Sequence, residues 1–274
     1  MSKMRRHLID TQFGQIHCRT VGAGPAVVMV HINNQSSAGF LELMANLAPN
    51  ATAVAMDYPS HGMSDHINYT PSIADYANCV TEVMQGLGIP RYAVLGEATG
   101  AVVAVEMGAN NLDRVNGIVM LNCPIYKDTK QAHEVHSQVK SQTLRPVDSS
   151  GFPLTRTLEY VLANDPSHAP LKPDQSWLDR VSLGQIQAGR SSWQALDAVN
   201  AYDLANSFSK VGCEAMLLMG EHFHYTSQIE EYKKRFKRLT AEVIPNARFC
   251  MGWEKADVIA PKVAGFLKRV NSLN

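Results

Sequence analysis

The stretch Tyr92-Ala-Val-Leu-Gly96-Glu97-Ala98-Thr99-Gly100 decides the fold of this chain. Its first four residues are apolar without interruption, which suits a strand covered on both faces. The glycines on either side of Ala98 are then informative, since glycine alone tolerates a backbone that doubles back with no room for a Cβ. The run predicts a buried strand that turns sharply into a helix, with Ala98 at the apex.

Outward from this turn, short apolar runs of the same kind recur at Ala26–Val30, Thr52–Met56, Gly117–Leu121 and Ala215–Met219. Between them lie helical stripes. Ile73, Tyr76, Val80, Val83, Met84 and Leu87 form one, and Val258, Ile259, Val263, Phe266, Leu267 and Val270 another. Two more strands, at 6–10 and 15–21, read as an opening hairpin, and Phe249–Gly252 reads as the last strand and its exit. Strand and helix in alternation predict an α/β fold with a mostly parallel, doubly wound sheet. The polar, proline-bearing segment 124–201 breaks the rhythm and is expected to be an inserted helical lid. The core is then expected in two parts, residues 1–123 and 202–274.

Composition narrows the class. With 274 residues, 45% of them hydrophobic, the chain can bury a substantial core. Its 25 Lys and Arg balance 25 Asp and Glu, which argues against nucleic acid or an anionic membrane as partner. The basic run Lys233, Lys234, Arg235, Lys237 and Arg238 follows Glu230 and Glu231 and reads as a solvated helix face. Five scattered cysteines, four of them in apolar surroundings, read as buried free thiols. The polar opening Met1–His7 lacks the apolar core of a secretion signal, so a cytoplasmic location is expected.

Four segments together resemble the α/β-hydrolase superfamily. They are the apolar strand leading to His31-Ile32-Asn33, the turn Asp57-Tyr-Pro-Ser-His61-Gly-Met-Ser64, the elbow Gly96–Gly100, and Leu217-Leu-Met-Gly220-Glu221-His222. The resemblance implies the α/β-hydrolase fold and an active centre of nucleophile, acid and histidine, in that chain order. At the implied places this chain has Ala98, Phe223 and, after the last expected strand, Trp253. All three depart from the pattern. The resemblance further implies an oxyanion hole from the amides of Asn33 and Thr99, which no side-chain change removes. Asn34 adjoins it, and His31 would stand at the pocket edge or pack beneath it.

Other groups could supply chemistry. His222 and His224 lie on the loop that should carry the acid, and Glu254 and Asp257 on the one that should carry the histidine. A swapped imidazole–carboxylate pair could move protons or activate water. Glu97 would be a candidate acid or base if held in apolar surroundings, or else a carboxylate bound by backbone amides. His133 and His136, three apart, fit a surface or lid-lining role better than a metal site, and no metal or cofactor is expected. Three functions stay open. They are an enzyme acting on a small apolar carbonyl compound by proton transfer or activated water, a non-catalytic small-molecule binder, and a serine hydrolase altered at Ala98. Each takes a small molecule as partner, and the oligomeric state stays open.

Overall fold

A computed structural model describes residues 3–143, 158–164 and 166–272. Its strands are β1 (Arg5–Thr11), β2 (Gly14–Val21), β3 (Ala26–Val30), β4 (Thr52–Met56), β5 (Tyr92–Glu97), β6 (Val115–Leu121), β7 (Glu214–Gly220) and β8 (Leu239–Ile244). They form one sheet in the order β1-β2-β4-β3-β5-β6-β7-β8. The pairings β1–β2 and β2–β4 are antiparallel and every other pairing is parallel. This is the expected doubly wound α/β-hydrolase sheet, entered through a hairpin.

The main helices are α1 (Leu41–Leu47), α2 (Ile73–Gly86), α3 (Thr99–Asn110), α4 (Thr129–Thr143), α5 (Leu158–Asn164), α6 (Gln175–Ala188), α7 (Gln194–Ala201), α8 (Leu204–Ser207), α9 (Ile229–Arg235), α10 (Met251–Glu254) and α11 (Ala256–Ser272). α4 to α7 form a helical insertion between β6 and β7. The central strands β3 and β5 are buried along their whole length, so alternate side chains feed opposite cores. Val28, Val30 and Val94 face α2 and α3 on one side, while Val27, Met29 and Leu95 face α1 and α11 on the other. The start of α2 is fixed locally by a capping box. Ser72 Oγ accepts from the Asp75 amide at 3.1 Å, and the Asp75 carboxylate accepts from the Ser72 amide at 2.8 Å.

The final strand corrects the sequence reading. It is Leu239–Ile244, an edge strand with an alternating, partly exposed face, and not the run at 249–252. There the chain instead passes through Cys250 in the left-handed region (φ 55°) and enters α10. The five cysteines are free and buried. No helix among the described residues is long and apolar enough to cross a membrane.

Candidate functional site

The elbow explains its own sequence. Ala98 sits at φ 50° and ψ −109° between β5 and α3. A Cβ on Gly96 would fall 2.0 Å from the carbonyl oxygen of Gly100, and one on Gly100 would fall 2.1 Å from that of Val30. Both glycines are therefore steric requirements of the turn. The conformation of Ala98 is one that a residue with a Cβ adopts at a cost of about 1–3 kcal/mol.

Above Ala98 lies a cavity of about 150 Å³. The loop after β3 contributes Ile32, Asn33, Asn34 and Gln35 to it, and the elbow contributes Ala98 and Thr99. Phe223 and His224 come from the loop after β7, and Phe249 from the segment after β8. The helical insertion closes it with Trp177, Leu178 and Leu196, among others. The side chain of Asn33 is tied to that roof, its Oδ1 accepting from the Leu196 amide at 3.0 Å. The amides of Asn33 and Thr99 donate to no described acceptor, so this wall of the cavity carries uncommitted N–H groups.

Phe223 and Phe249 are buried and stacked, with ring centroids 6.0 Å apart and planes inclined by 25°. His168 meets Phe249 edge-on at 5.6 Å. Phe249 is the residue that sequence reading missed. Trp253, expected here, lies beyond a further turn of chain and lines a smaller pocket of about 20 Å³ with His31, Glu97 and Cys250. The error follows from the misplaced last strand. An apolar phenylalanine inside a supposed strand carried no signal of its own.

The proposed imidazole–carboxylate pairs are not assembled. His222 is exposed, with Nε2 3.8 Å from the Glu221 carboxylate. His224 reaches the cavity rim, packed between Phe223 (4.3 Å) and Tyr225 (4.2 Å). Removal of water by these rings, with the His168 imidazole nearby, pushes its pKa down to about 4. Glu254 instead accepts from the amides of Leu171 (3.2 Å) and Lys172 (2.7 Å) in the insertion, and Asp257 faces solvent.

Glu97 points away from the cavity. It is 2% exposed, and its Oε1 accepts from the Met251 amide at 2.8 Å while Oε2 accepts from Gly252 at 3.3 Å. Asn122 Nδ2 approaches Oε1 at 3.4 Å and also donates to the Arg248 carbonyl at 2.7 Å. Burial pushes the carboxyl up to about 7 against these hydrogen bonds. The Asp57 turn is likewise structural. Its carboxylate accepts from the Ser37 amide (2.6 Å), the Met63 amide (2.9 Å) and His17 Nδ1 (2.9 Å). His31 Nε2 accepts from the Tyr58 amide at 3.1 Å, and His61 is wholly buried beside it. Among the described residues no cluster of three or more His, Cys, Asp or Glu is placed to hold a metal ion.

Comparison with known proteins places these features in a lineage. Residues 6–256 match the model of the Ndr family, and the chain belongs to that family. It is 27% identical to haloalkane dehalogenase 2 of Mycobacterium tuberculosis (strain ATCC 25618 / H37Rv) over 133 residues, which cover 48% of this chain and 46% of that relative. The chain thus matches less than half the length of that protein. It is 22% identical to the human serine hydrolase-like protein 2 over 295 aligned positions, covering 95% of this chain and 93% of the relative. The crystal structure of E-2-(acetamidomethylene)succinate hydrolase superposes with a TM-score of 0.75 at 18% identity, covering 98% of this chain and all (100%) of that one. That likeness establishes the α/β-hydrolase fold.

Proposed function

We propose that this member of the Ndr family binds a small, largely apolar carbonyl or carboxylate compound above Ala98 and performs no nucleophilic hydrolysis on it. The observation that carries the reading is the trio of Ala98, Phe223 and Phe249 around one cavity. The family pattern asks for a nucleophile on the elbow, an acid after the seventh strand and a histidine after the eighth. A methyl group and two stacked rings stand on those elements here, and none of them can attack a carbonyl or move a proton. The uncommitted amides of Asn33 and Thr99 still offer N–H donors to a carbonyl oxygen or carboxylate. A cavity of about 150 Å³ is the size that admits a single benzene-like ring in other proteins. Among the described residues no carboxylate pairs with His224, which argues against the proton-transfer enzyme built on a swapped pair.

Two measurements test this. Calorimetric titration with benzoate and with acetophenone should give saturable binding, and silence with both would remove the ligand-binding assignment. The Ala98→Ser variant should hydrolyse p-nitrophenyl acetate no faster than the buffer blank. Robust turnover would mean that a working base and acid remain, and the non-catalytic reading would fall.

A further inference from the structure

The roof of the cavity contains a hydrogen-bonded chain that the floor does not use. Tyr126, on the segment after β6, and His136, on α4, both line the cavity and are 5% and 4% exposed. The Tyr126 hydroxyl lies 2.7 Å from His136 Nε2, with the two rings edge-to-face at 5.3 Å. On its other side, His136 Nδ1 is hydrogen-bonded to the side-chain oxygen of Asn200 at the end of α7. These residues come from three elements, and nothing in the proposed floor chemistry requires them to meet.

The chain has a direction. An amide oxygen only accepts, so the proton of the His136 ring resides on Nδ1 and is donated to Asn200. In the neutral ring Nε2 then presents a lone pair, to which the Tyr126 hydroxyl donates. Burial raises the tyrosine well above its usual titration range, so it stays a neutral phenol. A phenol whose proton is committed retains acceptor positions on its oxygen. Tyr225 is also hydrogen-bonded to Tyr126, and the lone pair that this contact leaves is the one a ligand would meet. What Tyr126 offers the cavity is therefore an acceptor, polarised by the hydrogen bonds behind it.

We infer that Tyr126 is a specificity-determining residue that receives a hydroxyl group of the bound molecule, so the preferred ligands are ring-sized carbonyl or carboxylate compounds that also carry a hydroxyl. This rests on the cavity being a ligand site, as proposed above, and adds a polar pole at the roof to the amide pole at the floor. The orienting partners, His136 and Asn200, act by fixing which way the Tyr126 proton points.

Phenol and fluorobenzene test the assignment, because they match in size and differ in the presence of an O–H donor. In calorimetric titrations of the whole chain, phenol should bind about tenfold tighter than fluorobenzene, the scale of one buried hydrogen bond. Tyr126→Phe should abolish that preference, so that the variant binds phenol no tighter than fluorobenzene. Should that variant fail to fold, the wild-type ¹⁵N spectrum gives a second readout. Saturating phenol, and not fluorobenzene, should shift the His136 Nε2 resonance, because a donor on the Tyr126 oxygen strengthens its own donation. Equal affinities in the wild type, or an unmoved Nε2 resonance at phenol saturation, would overturn the role of Tyr126 and leave the cavity as a ligand site. Failure of both compounds to bind would overturn this role and the ligand-site reading together.

Discussion

Glu97 and Ala98 are neighbours in sequence and face opposite worlds. Ala98 forms the floor of a cavity walled by aromatic rings, and it is held in a backbone conformation that favours glycine. Glu97 turns the other way and spends both carboxylate oxygens on the amides that open α10. The residue at the apex carries strain without chemistry. Its neighbour carries a titratable group whose work is architectural. A perturbed carboxyl beside an elbow therefore need not belong to the site that the elbow supports.

The contrast can be broken at three points. The largest effect is expected from Gly100→Ala, whose new Cβ would meet the Val30 carbonyl oxygen at 2.1 Å. Backbone cannot yield as a side chain does, so the variant should lose about 4 kcal/mol or more and fail to give folded protein in a thermal melt. A cooperative melt near that of the wild type would refute the steric account.

Glu97→Gln removes one acceptor oxygen and sets an amide N–H₂ against a backbone N–H. It should cost about 2 kcal/mol in urea unfolding and leave the affinity for benzoate unchanged. The penalty should also depend on pH. The folded pKa of Glu97, about 7, stands above its ordinary value of 4.5. The folded state therefore binds the proton more tightly, and this contribution is present below about pH 4.5 and lost as pH rises through 7. The wild type should exceed Glu97→Gln by more at pH 5 than at pH 8. A penalty equal at both values, or a loss of benzoate binding, would place Glu97 elsewhere in the scheme.

The smallest expected effect is favourable. Ala98→Gly should raise stability by about 1 kcal/mol, since glycine adopts the apex conformation without a Cβ. A variant less stable than the wild type would show that the Ala98 methyl contributes more by packing than its backbone costs.

The central strands were legible because burial on both faces makes them continuous apolar words. β8 was not. Leu239-Thr-Ala-Glu-Val-Ile244 lies at the sheet edge with charged and polar residues interleaved, and its pattern is weaker than that of the apolar loop that follows. The same shift moved attention from Phe249 to Trp253. Phe223 was legible because it stands a fixed step after Gly220 in a recognisable strand exit. The Tyr126–His136–Asn200 chain was not, since His136 and Asn200 lie 64 residues apart and only the packing of α4 against α7 brings them together. Local pattern reports what a residue's own element needs. It is silent about partners recruited from other elements.

One feature of the segment after β8 bears on how the protein breathes. Arg248 donates from Nε to the Ala169 carbonyl and from a terminal nitrogen to that of Pro170, both at 2.9 Å. Glu254 accepts from Leu171 and Lys172 immediately beyond. Four consecutive residues of the insertion are thus riveted to the body of the domain at one corner of the roof. The amide protons of Leu171 and Lys172 should then exchange with solvent far more slowly than exposed amides elsewhere in the insertion.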